Sequence, residues 1–108
     1  MVRRRLFLAL FTAAGSLFSS AARAEDETDS AHARAAMERG EIRPLAGILV
    51  AVEKRYEGRV IETELEYRRD TWVYEFKLLP LTGRIFKVRV DAASGRMLDT
   101  HGPVRERP

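Results

Sequence analysis

The sequence of 108 residues contains no cysteine and only two histidines. Without cysteine the chain can form neither disulfides nor thiolate metal sites, and it lacks the residue that anchors a lipoprotein. Its longest mostly apolar run, Leu6 to Phe18, is shorter than the roughly 20 residues that a membrane-spanning helix needs. The length predicts at most one domain, held together by side-chain packing alone.

The first 24 residues have the three parts of an export signal. Arg3, Arg4 and Arg5 precede the apolar run, and Ala22-Arg23-Ala24 forms a small-x-small cleavage site. We therefore predict that residues 1–24 are a signal peptide, cleaved before Glu25, and that the protein is periplasmic or secreted. The paired arginines also resemble a twin-arginine signal, but general secretion is favoured.

Removing that segment changes the charge balance of the chain. The whole sequence carries 19 Lys+Arg and 16 Asp+Glu, and residues 1–24 hold four of the arginines and none of the acids. The rest therefore carries 15 basic and 16 acidic residues, a net charge of −1. A domain without basic excess is a poor candidate for nucleic-acid binding, and we expect no stable membrane anchoring after cleavage.

Two helices are predicted after a disordered leader at residues 25–30, which is acidic and has no apolar residue. The first spans Ala31–Arg39 and ends at Gly40. The second runs from Pro44 to about Tyr56, where one apolar stripe repeats every three or four residues. The stripe consists of Leu45, Ile48, Leu49, Val52 and Tyr56. We expect Gly47 to let this helix approach the sheet closely.

Strands follow, because apolar and polar residues alternate. Arg59–Arg69 forms the first strand, with Ile61 placed on the dry face, and Trp72 begins the second. The turn Pro80–Gly83 then leads into a third strand that ends at Val90. A short fourth strand is predicted at Met97 and Leu98, and residues 101–108 are predicted to be a flexible tail. The fold class is α+β: two N-terminal helices packed on one face of a three- to four-stranded antiparallel meander.

Four stretches resemble the PepSY domain family. They are Ala33–Leu45, Tyr56–Val60, Trp72–Lys77 and Val90–Arg96. In that family, Tyr-x-Gly-x-Val leads into the first strand, Trp-x-Tyr-x-Val marks the second, and Val-Asp-Ala-x-Thr-Gly closes the third. Phe76 replaces the usual Val and Ser94 the usual Thr. The resemblance spans about residues 33–99, and we predict the domain at residues 31–100. The resemblance implies a non-enzymatic module that inhibits peptidases or senses the cell envelope.

The sequence shows no catalytic motif, which agrees with a non-enzymatic function. His32 and His101 stand at no recognisable spacing from a serine nucleophile, and the sequence has no Gly-rich phosphate loop. No cofactor is predicted. The expected partner is another envelope protein, either a peptidase or the sensor domain of a signalling kinase, and the sequence leaves the oligomeric state open.

The solvent-facing side of the sheet is the predicted partner-binding site. It combines two apolar residues with charged ones. The predicted site residues are Val73, Glu75, Lys77, Ile85, Lys87 and Arg89. Strand addition along a sheet edge is a second possible mode of binding.

A small-ligand or divalent-cation protein is the alternative function. It would use the carboxylates of Glu62, Glu64 and Glu66, which alternate along the first strand. Same-face residues of a strand lie nearly 7 Å apart, however, which is too far for all three to share one ion. No metal site is therefore predicted.

Overall fold

The computed structural model describes residues 4–7 and 20–108, with side chains from Asp29 onward. This part of the chain forms two helices and one antiparallel sheet, whose strands neighbour one another in chain order. The elements are β1 (Arg4–Phe7), α1 (Ser20–Glu38), α2 (Leu45–Arg55), β2 (Arg59–Arg68), β3 (Thr71–Leu79), β4 (Phe86–Asp91) and β5 (Met97–His101). The predicted α+β class is confirmed, with β2 to β5 forming the meander.

The predicted signal peptide lies mostly outside the described residues. Within it, Arg4–Phe7 forms β1 along the outer edge of β2, and Ser20 begins α1. Residues 25–30 lie inside α1, where the sequence predicts a disordered leader. Alanine-rich stretches flank these acidic residues, and an already nucleated helix extends at little cost.

Helix α1 ends at Glu38, one residue before its predicted end at Arg39. The N–H of Glu41 donates to the carbonyl of Ala36 at 2.9 Å, and that of Gly40 donates to Met37 at 3.0 Å. Gly40 has φ +75°, the left-handed conformation this capping motif requires. Neither helix in the described part of the chain is both long and apolar enough to cross a bilayer.

The core lies between the helices and one face of the sheet. Tyr74 and Phe76 of β3 are fully buried beside Val88 and Val90 of β4. Trp72 and Phe86 belong to the same cluster, so the aromatic residues share one face as the alternation predicts. Helix α2 contributes Ile48 and Val52, which lie on its predicted stripe. Burial of this apolar surface is the main stabiliser of a domain of this size.

Two details of the predicted packing are wrong. A β-bulge between Val60 and Glu62 shifts the register of β2, so Val60 pairs with Leu78 and Ile61 is 50% exposed instead of facing the core. Gly47 does not let α2 approach the sheet, because a Cβ built there meets nothing within 4 Å. This glycine lies on the exposed side of the helix.

The C-terminal residues, predicted to be a flexible tail from residue 101, contact the rest of the domain. His101 is the last residue of β5, and Glu106 forms an antiparallel bridge with Tyr56. The N–H of Arg107 donates to the carbonyl of Arg55 at 2.8 Å. Backbone hydrogen bonds of this kind hold the tail against the junction between α2 and β2.

Candidate functional site

The candidate site is the sheet face opposite the helices, called the outer face here. Period-two alternation directs charged side chains of every strand of the meander to this side, because their neighbours fill the core. The outer face consists of Glu62, Glu64 and Glu66 of β2, Val73, Glu75 and Lys77 of β3, Lys87 and Arg89 of β4, and Asp99 and His101 of β5.

Three ion pairs cross the outer face from strand to strand. Lys77 Nζ lies 2.9 Å from Glu62 Oε2, and Lys87 Nζ lies 3.3 Å from Glu75 Oε1. Arg89 Nη1 lies 3.3 Å from Asp99 Oδ2. Pairs of opposite charge across strands stabilise a sheet modestly. We call this arrangement the charge ladder.

The first pair of the ladder shifts the titration of both partners. The hydrogen bond from Lys77 lowers the pKa of Glu62 below its ordinary value, since it favours the charged carboxylate. In return, the carboxylate of Glu62 raises the pKa of Lys77. Each partner therefore stabilises the charged form of the other.

The predicted site residues are only partly brought together. Glu75, Lys77, Lys87 and Arg89 share the outer face in adjacent positions of β3 and β4. Val73 lies on the same face but is only 4% exposed, so it offers little surface to a partner.

Ile85 is exposed but lies at the other end of the sheet. Val73 pairs with Asp91, whereas Ile85 directly precedes Phe86, which pairs with Leu78. Leu78 lies five positions after Val73 in β3, a distance of roughly 17 Å along the strand. The sequence predicts that these two apolar residues belong to one site. In the structure they lie too far apart to form one apolar centre.

A cluster of three carboxylates occupies the outer face, with a membership different from the predicted one. Ligand oxygens of Glu64, Glu66 and Glu75 lie within 4.8 Å of one another. Glu75 joins because β3 places it directly opposite Glu64, while Glu62 pairs with Lys77. Oxygens at this separation could coordinate one divalent cation, but the ammonium group of Lys87 already supplies positive charge beside Glu75.

Sequence reasoning missed the contribution of β5. The predicted fourth strand stops at Leu98, whereas β5 continues to His101 and places Asp99 opposite Arg89. A depression of about 320 Å³ lies along this side of the outer face, and His101 lines it. The spacing of Asp99 and His101 was the available signal, but a register shift between Arg89 and Val90 breaks the alternation, and Met97 packs against the core.

The other histidine contacts aromatic residues far from the ladder. The ring centroid of His32 lies 4.9 Å from those of Tyr67 and Trp72. These rings sit where β2 turns into β3, beside the left-handed pair Arg69 and Asp70. Such contacts indicate a packing role for His32.

Comparison with known proteins identifies the family of this chain. A family model described as PepSY, peptidase propeptide and YPEB domain, matches residues 48–101. The match begins within α2 and ends with β5, so it includes all four strands of the meander. No curated protein and no solved structure matches the chain.

Proposed function

Because this chain belongs to the PepSY family, we propose that it is an exported, non-enzymatic module that binds another protein of the cell envelope. The partner is either a peptidase or the sensor domain of a signalling kinase. The description of the family as a peptidase propeptide domain supports a protein-binding role, and it favours the peptidase of the two.

The charge ladder is the observation that carries this proposal. Its charged side chains lie on the face opposite the apolar core. The Lys77–Glu62 pair and Asp99 are accessible to water, so these pairs are screened and contribute little to stability, whereas Glu75 of the second pair is buried. A partner that presents charges in the complementary order can exchange these pairs for intermolecular ones, which gives specificity and faster association.

Charge reversal on the ladder tests the proposed interface. Lys77→Glu and Lys87→Glu each place a further acidic group beside existing carboxylates, and they should weaken capture of the partner from a periplasmic extract. Lys54→Glu is the matched control, since Lys54 is an exposed lysine in the last turn of α2. Mass spectrometry of the captured proteins should identify a peptidase or a sensor kinase.

One outcome of the charge-reversal experiment would contradict the proposed interface. If the ladder variants retain every partner that the wild type captures, the outer face is not the interface. Ile85→Asp is a second probe, because Ile85 is 46% exposed. Val73→Asp is unsuitable, since a charge at this buried position is expected to unfold the domain.

Export is a separate part of the proposal and needs its own test. The tripartite pattern of residues 1–24 supports it. Protein recovered from the periplasmic fraction of expressing cells should begin at Glu25 when its N-terminus is sequenced. An intact N-terminus, or recovery only from the cytoplasm, would contradict export by this signal.

Divalent-cation binding is the second candidate function, favoured by the cluster of Glu64, Glu66 and Glu75. Calorimetric titration with calcium, zinc and copper tests it directly. Binding through the cluster should be lost in Glu66→Gln and kept in Glu53→Gln, which changes an exposed helix residue. No heat at millimolar metal would remove this candidate.

A further inference from the structure

A second site lies at the far end of the sheet from Trp72. It is a cleft of about 580 Å³ between the start of β2, the turn after β3 and the C-terminal tail. This volume falls in the usual range of ligand-binding clefts. The lining residues used below are Glu57, Arg59, Leu79, Leu81, Arg105 and Arg107. None of them belongs to the outer face.

Backbone pairing brings two of the three arginines into the cleft. The N–H of Glu57 donates to the carbonyl of Arg105 at 2.8 Å, and Glu106 bridges to Tyr56. In an extended segment, residues two apart project to the same side. Arg105 and Arg107 therefore both face the cleft, while Glu106 points away and contacts Arg55.

Each of these two guanidinium groups makes a hydrogen bond through its Nε atom. Arg105 donates through Nε to Glu57 Oε2 at 2.9 Å, and Arg107 donates through Nε to the carbonyl of Glu53 at 2.7 Å. A guanidinium has five N–H donors, so both terminal Nη groups of each arginine remain available to a ligand. Fixing the group in this way reduces the entropy lost when it binds a carboxylate.

Arg59 supplies a third positive charge. Its side chain is exposed and makes no hydrogen bond or ion pair within the described part of the chain. The cleft thus holds three guanidinium groups and a single carboxylate, that of Glu57. This balance favours an anionic ligand, and the planar guanidinium matches the two oxygens of a carboxylate.

The wall opposite the tail is apolar. Leu79, which pairs with Arg59, is 40% exposed, and Leu81 at the tip of the turn is fully exposed. A small inorganic anion would contact only the arginines and would leave these leucines in water. A polypeptide that alternates acidic and apolar residues would satisfy both surfaces.

We propose that this cleft binds an acidic, extended segment of a partner protein, with carboxylates on the arginines and an apolar side chain against Leu81. The inference rests on the proposed protein-binding function and adds the chemistry that the partner must present. It concerns a surface separate from the charge ladder.

Titration of the full chain with a short capped peptide tests the proposal. A fluorescein-labelled peptide of alternating glutamate and leucine should bind saturably, as measured by anisotropy. The same peptide with glutamine in place of glutamate should bind at least about tenfold more weakly, since each charge-assisted hydrogen bond is worth a factor of this order. Binding of the acidic peptide should also weaken as salt increases.

Single substitutions then locate the binding. Arg59→Gln and Arg105→Gln should each weaken binding of the acidic peptide by roughly tenfold. Leu81→Ser should weaken it by a few fold without changing any charge. Arg39→Gln is the matched control and should have no effect on binding. Arg39 also donates through Nε to a carboxylate, that of Glu41 at 2.9 Å. It directly follows α1, which packs against Trp72 at the other end of the sheet.

Three results would overturn the proposal: equal binding of the acidic and neutral peptides, equal loss of affinity in Arg39→Gln and Arg105→Gln, or complete competition by millimolar inorganic phosphate. Competition by phosphate would indicate a site for small anions only. Failure of this test leaves the charge-reversal experiment on Lys77 and Lys87 untouched. A negative result of that experiment does not affect the interpretation of the peptide titration, so the two proposals can be tested separately.

Discussion

The hydroxyl of Tyr74 donates a hydrogen bond of 3.3 Å to the backbone carbonyl of Arg43, linking the centre of the sheet to the connection between the helices. The ring of Tyr74 is fully buried, and this burial raises the pKa of its hydroxyl. A second bond fixes the same connection, since the N–H of Arg43 donates to the carbonyl of Ala92 at 2.7 Å. Arg43 is therefore held from both β3 and the turn after β4.

Tyr74→Phe should lower the free energy of unfolding by about 1 kcal/mol, because it leaves the carbonyl of Arg43 without this donor. Urea denaturation of both proteins measures the difference. Tyr67→Phe is the matched control, since the hydroxyl of Tyr67 bonds the exposed carboxylate of Asp70 and its loss should matter less. A larger effect at Tyr67 would contradict the role given to Tyr74.

Replacing two glycines by alanine should have opposite effects. Gly58 has φ +132°, and a Cβ there would lie 3.1 Å from both Leu79 C and Pro80 N. Gly58→Ala should therefore cost roughly 1–3 kcal/mol of stability. Gly47→Ala, in open space on helix α2, should add up to about 1 kcal/mol, since alanine favours helix.

Thermal denaturation of the two glycine variants supplies the comparison. The melting temperature should fall for Gly58→Ala and rise for Gly47→Ala. A fall at both positions would mean that Gly47 has a packing role absent from the structure.

Asp91 stabilises the turn between β4 and β5. Its Oδ2 accepts hydrogen bonds from the backbone N–H of Ser94 at 2.9 Å and from the hydroxyl of Ser94 at 2.5 Å. Asp91→Ala should lower the free energy of unfolding by about 1–2 kcal/mol, because both donors lose their acceptor. Asp99→Ala removes only an exposed ion pair and should cost less than about 0.5 kcal/mol in the same urea titration.

The pKa of Glu62 gives a direct test of the charge ladder. Lys77→Met should raise this pKa toward its ordinary value of about 4.5, since the hydrogen bond from Lys77 is the largest cause of the lowering. Carboxyl-carbon NMR titration of the wild type and the variant measures the shift. Lys54→Met is the control, and an unchanged midpoint in Lys77→Met would show that the pair does not form in solution.

The same pair contributes to stability in a defined pH range. Because the pKa of Glu62 is lower in the folded than in the unfolded state, its contribution is present above about pH 4.5 and is lost as the pH falls through the folded value. The side chains of Glu62 and Lys77 are 37% and 35% exposed, so solvent screening keeps the effect small.

Some parts of the fold could be predicted because their causes are local. Alternation along β3 and β4 fixes which side chains face the core, and the spacing of Ile48 and Val52 fixes the buried side of α2. The bulge at Ile61 could not be predicted in this way. It depends on how β2 aligns with β3, and a shift of one residue moves a side chain to the other face.

The sequence predicts which charged residues share the outer face, but not which of them contact one another across strands. Glu75, Lys77, Lys87 and Arg89 lie on one face as the alternation requires. The burial of Val73 and the pairing of Glu62 with Lys77 depend on neighbouring strands. For the same reason, the candidate cation ligands differ from the predicted ones. The sequence places them on one strand, whereas the structure groups Glu64 and Glu66 of β2 with Glu75 of β3.

By itself, the sequence determined α2, the three central strands β2 to β4, the capped turn at Asp91 and the family motifs, since each follows from interactions within a few residues. Tertiary structure alone decided that the C-terminal tail returns to Tyr56 and that Arg59 and Arg105 meet at one cleft. Residues so distant in the chain come together only through sheet register and packing, which no local pattern encodes.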